Sequence, residues 1–132
     1  MRKKSRTRSA IEKDLDRAFS IFIRLRDSNE NGIARCISCG KADIWTAMDC
    51  GHYISRVHRS TRWNPMNCHT QCKRCNIFMH GNYPAYALSL LRKYGSEILT
   101  DLEIEKNKTL KLTTAEMTEL LEHYRELNKQ ML

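Results

Sequence analysis

Two Cys-x-x-Cys knuckles, Cys36/Cys39 and Cys72/Cys75, constrain the fold of this chain more than any other feature. A two-residue gap lets both sulfurs of a knuckle turn toward one ion while adjacent backbone N–H groups bond the sulfurs, and Zn²⁺ accepts four thiolates tetrahedrally. The pairs therefore predict one closed, structural zinc site. Zinc ribbons usually separate their pairs by roughly 15–20 residues. Here the gap runs from Gly40 to Gln71 and is longer, so the enclosed segment has to form structure of its own.

Disulfides are the other use of such cysteines, and they require an oxidising compartment and usually a secretory signal. The chain begins Met1-Arg2-Lys3-Lys4-Ser5-Arg6-Thr7-Arg8 with no apolar stretch behind it suited to a signal peptide. No segment approaches the roughly 20 apolar residues of a membrane span. A cytoplasmic setting without membrane association is expected. Cys50 and Cys68 read as small buried hydrophobes rather than ligands.

The formal charge is +8 and the pI about 9.4. Four thiolates and one Zn²⁺ add a net −2, leaving about +6 in a metal-loaded form. Such a balance favours a polyanionic partner, because each neutralised phosphate releases counterions. Basic residues gather in the first eight positions and at Arg56, His58, Arg59, Arg62, Lys73 and Arg74, which are the expected nucleic-acid contacts. The C-terminal third balances its charges and reads as scaffold.

The pattern predicts a basic arm over residues 1–8 and a single domain over 9–132 that is α+β and mainly helical. Ser9 and Glu12 fit a capping box opening a helix over 9–30, with Ile11, Leu15, Ala18, Phe19, Phe22 and Leu25 on one face. Asn31-Gly32 supplies a turn, Ile44–Met48 favours strand, Tyr53–Arg56 suits a second strand, and Trp63–Asn67 reads as irregular loop. A helix near Cys72 carries Asn76. In the extension over 82–132, one helix starts at Pro84 and stops at Gly95, and Ser96 caps another through Ile98 and Leu102. Thr113 and Glu116 form a second capping box, with Leu112 and Met117 as hydrophobic staple. The stripe Met117, Leu120, Leu121, Tyr124, Leu127 and Met131 serves as core or as a dimer surface. Trp45 and Trp63 read as core.

The segment Asp49-Cys50-Gly51-His52-Tyr53-Ile54-Ser55-Arg56, then Asn64-Pro65-Met66-Asn67, then Cys72-Lys73-Arg74-Cys75-Asn76 resembles the HNH nucleases, in particular their His-Asn-Asn variant of the phage endonuclease VII kind. Over nearly everything from Ser9 onward the chain is similar to the phage NinG (Rap) recombination proteins. The basic leader and first helix, Gly51–Ile54, Gln71–Asn76, Gly81–Leu88 and Lys106-Asn107-Lys108 carry that likeness.

The resemblance implies a zinc-stabilised ββα-metal module over 33–81, in a phage or prophage protein of a bacterial cytoplasm. It implies a metal-dependent endonuclease for branched DNA such as Holliday junctions or flaps, releasing 5′-phosphate and 3′-hydroxyl ends. His52 is then the general base, at a strand end and facing the helix that carries Asn76, with Asn67 orienting it through backbone hydrogen bonds. Asn76 and a carboxylate hold Mg²⁺ or Mn²⁺, since oxygen ligands suit a hard cation. The aspartate often found directly before the histidine is Gly51 here, so the carboxylate comes from Asp49 or from elsewhere. His80, four residues past Asn76, is a further candidate ligand or a surface histidine. No organic cofactor is expected, and cleaving both strands of a symmetric junction would favour a homodimer. A zinc module that binds nucleic acid without catalysis satisfies the same charge and cysteine pattern, but it needs neither His52 nor Asn76.

Overall fold

The computed structural model describes residues 6–132, so the first five residues of the expected basic arm lie outside it. Helix α1 spans Arg8–Arg26. Its N-cap is Thr7, whose hydroxyl accepts from the Ala10 N–H at 3.1 Å. Ser9 and Glu12 do not form the expected box, because Glu12 is turned to Arg59 and Arg62. The helix ends at Arg26, four residues earlier than expected, where Asp27 leaves it to hydrogen-bond β4.

Two short antiparallel hairpins follow. Strands β1 (Ile33–Arg35) and β2 (Ala42–Ile44) pair with Ala34 opposite Asp43, and the first knuckle forms the turn between them. Gly40 there has a φ of 80°, which an L-residue adopts only with strain. Trp45–Ala47 is a 3₁₀ turn, not strand. The second hairpin pairs β3 (Asp49–His52) with β4 (Cys68–Gln71), Cys50 opposite Thr70 and His52 opposite Cys68. Tyr53–Arg56, expected as strand, lies beyond β3 in the loop leading to α2 (Arg59–Arg62). No apolar alternation announces β3, so its strand character comes from pairing.

The second knuckle runs into a single π-helical turn, Arg74–Phe78, which carries Asn76. Then come α3 (Tyr83–Tyr94), with Pro84 in its first turn and Gly95 closing it, α4 (Ile98–Lys106) and α5 (Thr114–Met131). Ser96 does not cap α4, which has Glu97 at its N-cap and no side-chain cap bond. The Thr113/Glu116 box of α5 is complete in both directions. The chain is α+β and about 56% helical.

Two apolar cores flank the second hairpin. On one side α1 packs against α5, burying Leu15, Phe19, Ile23, Met117, Leu121 and Tyr124 with Trp63 and Cys68. The stripe of α5 is therefore mostly core, while Met131 remains 40% exposed. On the other side Tyr86 and Leu90 of α3 meet Ile98 and Leu102 of α4 beneath Ile54. Trp63 is core, as expected, whereas Trp45 is only half-buried under the Arg24 guanidinium. No helix among the described residues is long and apolar enough to cross a membrane.

Residues that fix the hairpin come from both sides. Arg26 donates to the carbonyls of Pro65 and Cys68 at 2.8 Å each, and Asp27 accepts from the N–H and hydroxyl of Thr70. From α3, Tyr86 donates its hydroxyl hydrogen to Gly51 O at 2.8 Å. That leaves the Tyr86 oxygen to accept from His69 Nδ1 at 3.2 Å, and His69 Nε2 to accept from the Tyr94 hydroxyl at 2.7 Å. Strand β4 is thus buried along its whole length with its polar side chains almost fully partnered.

Candidate functional site

The four knuckle sulfurs, from Cys36, Cys39, Cys72 and Cys75, all lie within 4.8 Å of one another. The Cys39 N–H points at Cys36 Sγ and the Cys75 N–H at Cys72 Sγ, both at 3.5 Å, while the Asn82 amide donates to Cys75 Sγ at 3.4 Å. Burial works against ionising Cys36, but the N–H groups of Cys39, Cys72 and Ser38 outweigh it and hold that thiol down at about 7. Burial pushes Cys75 up to about 12. A cation is what allows neighbouring thiolates to coexist, and soft sulfur donors with N–H bonds in this arrangement fit one Zn²⁺.

Beside this centre lie Asp49 at the start of β3 and Asn76 on the turn after the second knuckle. Asn76 Nδ2 donates to Asp49 Oδ2 at 3.1 Å, and Lys73 Nζ lies 2.7 Å from Asp49 Oδ1. Turning the Asn76 amide over exchanges its N–H for a carbonyl oxygen without changing its shape. The pair then offers two hard oxygen donors to a divalent cation.

Gly51, two residues on and on the same strand face, has no room for a side chain. A Cβ on Gly51 would fall 1.9 Å from Gln71 Oε1 and 2.5 Å from its Cδ. Gln71 is fully buried and donates to Ser38 Oγ and Gly81 O, so it cannot swing away cheaply. Its Oε1 has no conventional partner and rests over the glycine Cα. A side chain at 51 is excluded.

His52 ends β3, as expected, but it does not face Asn76. Strand alternation puts it on the face opposite Asp49, where its ring lies within 4.8 Å of the thiols of Cys50 and Cys68. Its Nε2 is 2.9 Å from the Arg62 carbonyl. A carbonyl only accepts, so Nε2 carries the hydrogen and Nδ1 keeps the lone pair. Burial holds His52 below its ordinary pKa, partly offset by that bond. Cys68 is fully buried in the α1 core, as the hydrophobe reading expects, whereas Cys50 is only partly buried against it, and with His52 the two thiols form a second group close enough to hold a metal ion.

Asn67 is fully buried and acts on the loop after β3. It accepts from the Ile54 N–H at 2.8 Å and donates to the carbonyls of Ile54 and Thr61. Thr61 precedes Arg62, so Asn67 fixes the backbone that carries the acceptor of His52.

The expected phosphate contacts divide. Arg62 is bound to Asp16 through Nε at 3.1 Å and Nη2 at 2.5 Å, with Glu12 at 3.3 Å, and it lies over Trp63. It ties α2 to α1. Arg59 reaches Glu12 at 2.8 Å but stays half-exposed. Arg56, Lys73 and Arg74 are exposed, and His58 is half-buried at the N-cap of α2. His80 leaves the helical turn with a φ of 49° and is exposed. The partners that bind Arg62, Asp16 and Glu12, carried no signal in the sequence because they lie far away in the chain.

No solved structure matches the chain. Among curated proteins it is 33% identical over 102 residues to protein ninG of Escherichia phage lambda, covering 76% of this chain and 48% of that protein. It is 32% identical over 102 residues to protein ninG of Escherichia phage 933W, with the same coverage, and 30% identical over 125 residues to protein ninG of Salmonella phage P22, covering 94% of this chain and 59% of that one. The chain thus spans about half the length of the curated relatives it matches. The family model described as bacteriophage lambda NinG protein matches residues 1–132, and the chain belongs to that family.

Proposed function

We propose that the chain is a metal-dependent DNA endonuclease in which a zinc-bound four-cysteine centre holds the catalytic groups. The observation that carries this reading is the contact between Asp49 and Asn76 beside the thiol cluster. Asp49 and Asn76 would hold Mg²⁺ or Mn²⁺. Such a cation supplies charge neutralisation on the scissile phosphate and on the departing 3′ oxygen. The Lys73 ammonium already lies against Asp49, so the carboxylate faces a space that accepts positive charge.

His52 takes the proton of the attacking water at Nδ1, while its Nε2–H stays on the Arg62 carbonyl. Burial keeps the ring neutral near pH 7, the state a general base requires. The water oxygen bonds to phosphorus, the P–O3′ bond breaks, and 5′-phosphate and 3′-hydroxyl ends result. Nucleophile and leaving group sit on opposite sides of phosphorus in such a displacement. Asn67 positions the loop, and exposed Arg56, Lys73 and Arg74 supply phosphate contacts. Branched recombination intermediates are the substrate this reading favours, in the host cytoplasm.

A second reading is a zinc module that binds nucleic acid without cleaving it. The closed polar set of Asn76, Asp49 and Lys73 favours it, since each group already has a partner. Incubating zinc-loaded protein with four-way, flap, single-stranded and linear DNA in Mg²⁺ or Mn²⁺ separates the two. Cleavage with 5′-phosphate ends supports the endonuclease, and binding without cleavage under either metal supports the module.

A further inference from the structure

From Cys50 to Ser96 the chain contains no aspartate or glutamate, and it carries seven lysines and arginines. Within this stretch, directly after Asn76, stand Ile77, Phe78 and Met79, exposed by 53%, 77% and 43%. Three consecutive large apolar side chains at a protein surface mark a contact site.

The backbone gives this tip a fixed shape. Cys75, one residue before Asn76, is drawn inward to the metal centre, and the wide π-helical turn carries the next residues outward. His80, Gly81 and Asn82 then reverse the chain with φ values of 49°, 97° and 43°. Residues other than glycine hold such a conformation only where their surroundings impose it. Those surroundings are visible: the Gly81 N–H donates to Cys75 O, Gln71 Nε2 donates to Gly81 O at 2.8 Å, and Asn82 binds Cys75 Sγ. The tip is preformed by the thiol cluster.

Charge selects its occupant. Arg74 precedes the tip by one turn and is exposed, as is Lys73, whose ammonium lies 2.7 Å from Asp49. A second copy of this chain would oppose the same cations across the contact, which disfavours self-association there. Nucleic acid offers phosphates to those cations and base faces to Phe78, and base stacking on an exposed aromatic is indifferent to sequence. Bases inside a continuous duplex have both faces covered.

We propose that Ile77, Phe78 and Met79 form a stacking platform for an unpaired base, so that the protein prefers nucleic acid with an open position over continuous duplex. The significance of the neighbouring Asp49–Asn76 pair rests on the endonuclease reading, whereas the binding itself does not.

The test uses zinc-loaded protein in buffer with Ca²⁺ in place of Mg²⁺, and three probes: single-stranded DNA, a duplex holding one unpaired 2-aminopurine, and the same duplex fully paired. Wild type is expected to bind the first two more tightly and to change the 2-aminopurine emission. Phe78→Ala weakens both by about tenfold, the loss of one stacked base, and leaves the paired duplex unaffected. Phe78→Trp keeps the preference, and its emission is quenched by the unpaired probes. Equal binding of all three probes by wild type overturns the proposal, as does unchanged affinity in Phe78→Ala. If Phe78→Ala converts a dimer into a monomer in sedimentation without altering DNA binding, the tip is a contact between copies and the proposal fails. Cleavage enters none of these readouts, so an inactive protein with an intact preference would sink the endonuclease reading alone.

Discussion

Asn76 Nδ2 lies 3.1 Å from Asp49 Oδ2, joining the turn after the second knuckle to the first residue of β3. Lys73 competes for the same carboxylate at 2.7 Å. An exposed ion pair of this kind contributes up to about 1 kcal/mol, so Lys73→Ala should lower the Mg²⁺ concentration for half-maximal cleavage by roughly two- to fivefold. A metal titration of the cleavage rate measures this, and an unchanged midpoint would mean that Asp49 does not hold the cation.

The thiol cluster should be inseparable from folding. Replacing Cys75 with Ser removes a buried ligand, and structural zinc sites supply folding free energy directly. Zinc content measured by mass spectrometry should fall by one ion per chain, and the cooperative thermal transition should be lost or shifted far downward. A variant that retains both zinc and its melting temperature contradicts the four-thiolate assignment.

Gly51→Ala should destabilise the protein by about 1–3 kcal/mol, because the new methyl overlaps the amide of a buried glutamine. Combining it with Gln71→Ala should recover part of that loss by vacating the space. Urea unfolding of the two single variants and the double variant provides the comparison, and additive losses would rule out the clash.

These residues also mark how far the sequence could be read. The knuckles and the Thr113/Glu116 box were legible because ligand spacing and capping are local rules. Asp49 was a candidate from resemblance, but the reason Gly51 cannot carry the carboxylate needed the register that lays Gln71 across it. The sequence points to strand at Tyr53–Arg56 rather than at β3, since Asp49-Cys50-Gly51-His52 has no apolar alternation and depends on a partner strand clamped by Arg26, Asp27 and Tyr86. The face of His52 followed from that same pairing. Arg62 looked like its basic neighbours until its distant partner Asp16 was in view.

That division of the arginines is testable. Arg62→Ala should cost about 1–3 kcal/mol, because it strips Asp16 of its charged partner. Arg74→Ala should leave stability within about 0.5 kcal/mol. It should reduce the salt slope of DNA binding by about one. Denaturant melts and binding titrations at several salt concentrations would show the opposite ranking if Arg62 were the phosphate contact.

His69 should govern acid sensitivity. Its pKa is lowered to about 3, chiefly by burial and then by Arg26. The folded value lies below the unfolded value of about 6.5, so the unfolded chain binds the extra proton first. Stability is therefore retained above about pH 6.5 and declines by about 1.4 kcal/mol per unit as the pH falls toward 3. Chemical denaturation across that range should give a slope that flattens in His69→Gln, and an unaltered slope would exclude His69 as its source.

The most direct measurement is single-turnover cleavage of a four-way DNA junction in Mn²⁺ by zinc-loaded wild type, His52→Ala and Asn76→Ala. The account predicts cleavage by wild type, and rates at least about 100-fold lower in both variants with zinc content and melting temperature unchanged. Cleavage by either variant at the wild-type rate, or none by wild type with any divalent cation, would contradict it.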